Sequence, residues 1–351
     1  MNIAEGMYGS ALASASGGDH KGIVQILLEK GADLNMVGGE YGTALASASY
    51  GDHKEIVQIL LEKGADVNMV GGEYGTALAS ASRGDHKEIV QILLEKGADV
   101  NVVGTNHYNC SSVLASASSC GHKGIVEILL ENGANMNTAG GCYASALLSA
   151  SVKGRKKIVQ ILLENGADVN MAGGCCGSAL ASASAYGHED IVEILLENGA
   201  DVNMAGGCCG SALASASACG HEGIVKILLE NGADVNMVGG YYGSALASAS
   251  ACGHEGIVEI LLENGADVNV VGGYYGSALG FAFAQGHLAI AGILLDRGAE
   301  VKLKHENGYC ALPCGNEETH QKIIRLFREH GAYPDEILVN IDGAAPKDII
   351  E

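Results

Sequence analysis

The sequence predicts an all-α solenoid of ten helix-turn-helix-loop repeats, and three observations carry that prediction. The first is a fixed period of 33 residues. The pair Ala-Leu recurs at Ala11, Ala44, Ala77, Ala146, Ala179, Ala212, Ala245, Ala278 and Ala311, with Val113-Leu114 in the fourth repeat. Gly-Ala keeps the same spacing from Gly31 to Gly331, and the one longer step, 36 residues from Ala77 to Val113, puts a three-residue insertion within Val102–Ser112. The second is composition: 52 Gly, 3 Pro, 5% aromatic residues and no Trp argue for thin, closely packed layers in place of one bulky core. The third is an apolar face, seen in Ile191, Val192, Ile194, Leu195 and Leu196, too wide for a short helix pair to bury by itself. Neighbouring copies with the same face must cover it.

Each element of the repeat has a local reason, and the sixth shows them in order. Ser178 stands at an N-cap, where its hydroxyl accepts from the first free amides of a helix over Ala179–Tyr186, and Gly187 supplies a left-handed stop. A second helix follows at once, with Glu189 and Asp190 in its first turn, where the helix dipole favours negative charge. Glu193 and Glu197 take its solvent side, Gly199 ends it, and Asp201–Gly207 form a Gly-rich return loop. The first helix is almost all Ala and Ser, so adjacent layers approach closely. With layers about 8 to 10 Å apart, ten repeats give a rod on the order of 90 Å long.

The run Ser178-Ala-Leu-Ala-Ser-Ala-Ser, with Gly187-His188, Ile191-Val192, Leu195-Leu196 and Gly199-Ala-Asp-Val-Asn203, resembles the ankyrin repeat in the Gly-Gly-x-Tyr-Gly form common in filamentous fungi. The resemblance spans residues 1–332, leaving 333–351 as a C-terminal tail. The family's Thr-Pro-Leu-His opening reads Thr43-Ala-Leu-Ala46 or Ser178-Ala-Leu-Ala181 here, losing the helix-starting Pro and the His that links repeats. A looser stack is therefore expected. Glu317, Glu318, Gln321, Lys322, Arg325 and Arg328 give the tenth repeat the composition of a polar cap, whereas the first is truncated and uncapped.

Charge and chemistry exclude several function classes. Acidic residues outnumber basic ones 41 to 20, a net charge of −21, so direct nucleic-acid binding is disfavoured. Met1–Ser10 lacks the features of a secretory signal and no apolar run reaches membrane-spanning length, so the expected location is intracellular, in cytoplasm or nucleus. The eleven Cys are read as reduced thiols. Nine His from His20 to His320 share one register, opening the second helix in every repeat but the fifth, where Arg155 stands, and are read as structural. The Cys rows, Cys142, Cys175 and Cys208 at loop tips and Cys120, Cys219 and Cys252 at first-helix ends, are spaced beyond disulfide reach and lack zinc-ligand pairing. Acid, base and nucleophile candidates recur along the rod and converge nowhere, so neither enzyme chemistry, nor a metal, nor a cofactor is expected.

What varies between repeats marks the candidate binding surface. The loop tip reads Glu40, Glu73, Cys142, Cys175, Cys208, Tyr241, Tyr274; the end of the first helix reads Gly51, Gly84, Cys120, Lys153, Tyr186, Cys219, Cys252, Gln285, preceded by Tyr50 and Arg83 in the second and third repeats. The ankyrin resemblance implies that these positions line a concave groove for protein partners, which makes Glu40, Tyr50, Glu73, Arg83, Lys153, Tyr186, Tyr241, Tyr274 and Gln285 the candidate contact residues. The expected function is that of a monomeric, non-enzymatic adaptor or scaffold binding one or more proteins and neither nucleic acid nor membrane. The alternatives are the sensing arm of a larger nucleotide-binding signalling receptor and an ankyrin-type transcriptional coregulator.

Overall fold

The computed structural model describes residues 9–40, 42–73, 75–103, 112–138, 145–173, 177–208, 210–274, 276–300, 325–326 and 329. The polar cap expected in the tenth repeat lies largely outside the described residues, and the tail 333–351 lies wholly outside them. Two compact bodies make up the chain, Met1–Ala183 with Asp190–Ala200, and Ser184–Glu189 with Asp201–Glu351. The described residues hold nine helix pairs, from Ala11–Gly17 with Lys21–Glu29 to Ala278–Gln285 with Leu288–Asp296. This is the helix-turn-helix solenoid that the period predicts.

The first helix starts where a hydroxyl caps it. Ser10, Thr43, Thr76, Ser112, Ser145, Ser211, Ser244 and Ser277 each accept from the amide three residues on. Its end takes two forms. Gly121, Gly220, Gly253 and Gly286 adopt the left-handed conformation at the C-cap, and their helices run eight residues. In the first three repeats the helix stops one residue sooner, and Asp19, Asp52 and Asp85 occupy the left-handed position with φ of 57° to 62°. The sixth repeat also ends early, at Ala185, leaving Tyr186 in the turn before Gly187 instead of in the helix, as its sequence had implied.

Layers are joined along three lines. First helices pack on first helices more closely than second helices pack on each other, because Ala44, Ala48, Ala81, Ala117 and Ala150 leave almost no side chain between backbones. On the second helix only Ile, Val and Leu at positions such as Ile191, Val192 and Leu195 are fully covered. Ile194 and Leu196 are half-buried, so the buried face is narrower than its composition implies. At the loop, Asp-x-Asn closes on itself and then clasps the next layer: Asn68 Oδ1 accepts from the Asp99 amide at 2.7 Å while its Nδ2 donates to the Gly97 carbonyl at 3.1 Å. The same clasp recurs at Asn203, Asn236 and Asn269. This explains the near-constant Gly-Ala-Asp-Val-Asn.

The third line answers the expectation of a looser stack. Although the His of the family's helix-opening motif is absent, six of the His that open second helices bond to the layer before them. His53, His86, His122, His221, His254 and His287 place Nε2 2.8–3.2 Å from the carbonyls of Gly17, Tyr50, Arg83, Ala185, Ala218 and Ala251. A carbonyl only accepts, so Nε2 carries the proton, and the bond satisfies a helix-end carbonyl that would otherwise have no partner. Arg155 makes the same bond with Nε to Ser119 at 3.1 Å. At these six positions the register is structural, and Arg155, which replaces His in the fifth repeat, preserves the interaction.

Among the described residues, several of the loops that connect the repeats are closed by a single antiparallel bridge, such as Gly38 to Gly42, or Gly239 to Gly243. Gly42 and Gly243 have φ of 79° and 90°, and a Cβ on either would fall on the backbone of the next hairpin, at Gly71 or Gly272. In the fourth repeat the bridge moves outward to Val103 and Ser112, so the hairpin itself absorbs the three-residue insertion.

Along the second helices, Lys21 Nζ lies 2.6 Å from Glu55 and Lys54 Nζ 2.5 Å from Glu88. The hydrogen bond from each Lys, then its charge, holds the two carboxyls below their ordinary range. What they add to stability is present above the ordinary carboxylate pKa and disappears as pH falls through the lowered value. Both groups are fully exposed, so salt weakens the effect.

Two predictions follow from the packing. Ser217 Oγ is buried without a hydrogen-bond partner, whereas Ser250, one layer on, donates to the Leu246 carbonyl at 2.7 Å. Ser217→Ala should stabilise the protein by about 1 kcal/mol and Ser250→Ala should not, a difference read from urea unfolding midpoints. In the first repeat Ile23 is 50% and Ile26 58% exposed, while Ile56 and Ile89, equivalent to Ile23, are fully covered. Amide exchange over residues 23–28 should be about tenfold or more faster than over residues 191–196.

Candidate functional site

Within each body, backbone bonds tie adjacent loop tips together among the described residues. The Glu73 amide donates to the Glu40 carbonyl, Tyr241 donates to Cys208 at 2.8 Å, and Tyr274 donates to Tyr241 at 3.2 Å. Successive tip side chains therefore stand side by side. In the second body this brings the rings of Tyr241 and Tyr274 into a parallel stack, with centroids 6.0 Å apart and planes 11° from parallel. Tyr242 supports them from below. Its ring meets Tyr241 edge-on at 5.1 Å and Phe281 at 5.3 Å, and its hydroxyl lies 3.9 Å from Cys252 Sγ at the end of the first helix. Phe281 is fully buried at a position that is Ser in each of the preceding repeats, so it anchors the cluster in the core.

Even stacked, Tyr241 is 56% and Tyr274 38% exposed, and Val238 and Val271 on the same loops are each 55% exposed. An apolar surface this open, held by backbone bonds and ring contacts, costs little conformational entropy to present to a partner.

The other candidates separate into two groups. Glu40, Glu73, Arg83 and Lys153 are exposed in the first body, at adjacent tips or first-helix ends, and Tyr50 is half-buried there. Tyr186 and Gln285 are exposed in the second body at first-helix ends. Tyr50 and Arg83 also have a backbone role, since their carbonyls receive His86 and His122. Beside Tyr50 an open cleft of about 430 Å³, lined by Ser14, Gly17, His20 and Ser47 among others, brings together no acid–base pair. The tip and helix-end pattern missed Tyr242, Val238 and Val271, because all three occupy positions that change little between repeats and so look like frame.

Cys120, Cys208, Cys219 and Cys252 form no disulfide, and among the described residues no three His, Cys, Asp or Glu are grouped to hold a metal ion. No helix among them is long and apolar enough to cross a membrane.

The family model for "Ankyrin repeats (3 copies)" matches residues 10–104, 70–140, 114–206 and 180–272. Among solved structures the chain is similar to the human ASB11 ankyrin repeat domain, with 27% identity and a TM-score of 0.54 over 63% of this chain and 97% of that one. No curated protein matches it. Ankyrin repeat domains generally mediate protein–protein interaction. With the repeat matched over most of its length and its interlayer bonds accounted for residue by residue, the chain belongs to the ankyrin repeat family.

Proposed function

We propose that the protein is a non-enzymatic, intracellular adaptor or scaffold, monomeric by itself, that binds a protein partner along its loop tips and first-helix ends, the concave side of an ankyrin array. The observation that carries this reading is the exposed stack of Tyr241 and Tyr274, held in place by Tyr242 and Phe281. Tyrosine is enriched among the residues that dominate interface energies, and a pre-positioned ring loses little freedom on binding. The remaining candidates, Glu40, Tyr50, Glu73, Arg83, Lys153, Tyr186 and Gln285, occupy the corresponding tips and helix ends of other repeats and are proposed as further contacts.

The test begins with affinity capture of the partner from the native cell and continues with calorimetry on the purified pair. Tyr241→Ala with Tyr274→Ala should weaken binding by well over tenfold, about 2 kcal/mol or more, without changing the helical signal in circular dichroism. The control is Glu193→Gln with Glu197→Gln on the exposed side of the second helix, expected to cost less than about 1 kcal/mol. The reverse result, a loss confined to the Glu pair, would put the partner on the convex side.

A further inference from the structure

The charge on the second helix changes sign part-way along the chain. Its first position is Lys in the first five repeats, Lys21, Lys54, Lys87, Lys123 and Lys156, and Glu in the next three, Glu189, Glu222 and Glu255. In three of these five repeats the Lys reaches an acid on the following repeat, Lys21 to Glu55, Lys54 to Glu88, and Lys156 to Asp190 at 3.1 Å, whereas Lys87 lies over Gly124 and Lys123 pairs with Glu127 on its own helix. Where it is Glu, the equivalent position on the following repeat carries no charge, being Gly223, Gly256 or Ala289. The carboxylates of Glu189 and Glu222 lie over Gly223 and Gly256, which offer no counter-charge, and none of the three acids makes an ion pair among the described residues. The helix dipole favours each Glu separately. It does nothing for the repulsion within a row whose members are one layer apart, about 8–10 Å, which is comparable to the Debye length.

One contact and sequence neighbourhood link this acidic row to the aromatic residues. The Tyr242 hydroxyl touches Cys252, three residues before Glu255, and the exposed ring of Tyr186 stands three residues before Glu189. All of these residues are in the second body, where residues 201–300 carry ten acidic and two basic side chains, a formal charge of −8. Resting on the protein-binding reading above, we propose that the aromatic surface of Tyr241, Tyr242 and Tyr274 docks an arginine-rich segment of a partner protein, with Glu189, Glu222 and Glu255 as its counter-charges. Guanidinium is the cation that fits both halves of the surface. It is planar and weakly hydrated, it packs against tyrosine rings, and it pairs with carboxylates, whereas a lysine ammonium keeps a tighter water shell. Acidic and phosphorylated segments are repelled by the same field.

Fluorescence anisotropy of the full-length protein with labelled twelve-residue peptides tests this. The probes are four repeats of Arg-Leu-Gly, of Lys-Leu-Gly and of Glu-Leu-Gly, at about 0.05 and 0.3 M salt. The Arg peptide should bind, more tightly than the Lys peptide and more weakly at the higher salt, and the Glu peptide should not. Glu189→Lys with Glu222→Lys and Glu255→Lys installs the residue that the first five repeats already carry there, and should weaken Arg-peptide binding by about tenfold or more. The Gln triple variant should give a smaller loss in the same direction, and Tyr241→Ala with Tyr274→Ala a comparable one. Arg-peptide affinity unchanged in the Lys triple variant or the Tyr pair, or a Glu peptide that binds equally well, overturns the proposal. If the native partner depends on the Tyr pair but the Arg peptide does not, the binding surface stands and the basic partner is wrong; if the native partner ignores the Tyr pair, the surface itself is wrong.

Discussion

The bond from the residue that opens a second helix to the last carbonyls of the preceding first helix is the constraint on which the rest of the array depends. A short helix leaves its final carbonyls without partners, and a helix of seven or eight residues cannot dilute that defect. His86 on the Tyr50 carbonyl, His254 on Ala218 and Arg155 on Ser119 all supply the missing donor from the next layer. The repair of one repeat is thereby the attachment of the next. Residues with a ring or guanidinium N–H meet this demand, so the fifth repeat loses its His and keeps its place in the stack.

Small residues make that bond geometrically possible. Ala and Ser on the first helix let layers approach until the donor reaches the carbonyl, and glycine at Gly42 and Gly243 lets consecutive hairpins touch backbone to backbone. The cost is visible in the same helices, where Ser16, Ser49, Ser82, Ser118, Ser184 and Ser217 bury hydroxyls with no partner. Stability here comes from many thin contacts between neighbours, as expected of a quasi-one-dimensional fold. No single repeat carries a core of its own.

A frame fixed in this way leaves the tips and helix ends able to change without disturbing the stack. The second body uses that freedom in two directions at once, placing aromatic rings at Tyr241 and Tyr274 and acids at Glu189, Glu222 and Glu255. The ring pair needs its own support. Phe281 replaces the small residue of other repeats and fills the space beneath Tyr242, so a substitution in the core of one layer steadies the surface of its neighbour.

The sequence by itself determined the period, the helix pair, the hydroxyl N-caps and the structural character of the His register, because each of these reports an interaction within a repeat or between a repeat and its identical neighbour. It also marked Tyr241 and Tyr274 as variable tips. Only the tertiary structure decided that the two rings stack, that Tyr242 and Phe281 hold them, that Ile194 and Leu196 are half-exposed, and that Asp52 does the work of a left-handed glycine. Periodicity states which positions are equivalent, whereas the direction of a side chain at a hairpin tip is set by backbone bonds to the adjoining tip. Two residues 33 apart are simply repeats of one another in the sequence. In the stack they are neighbours, and their chemistry becomes a surface.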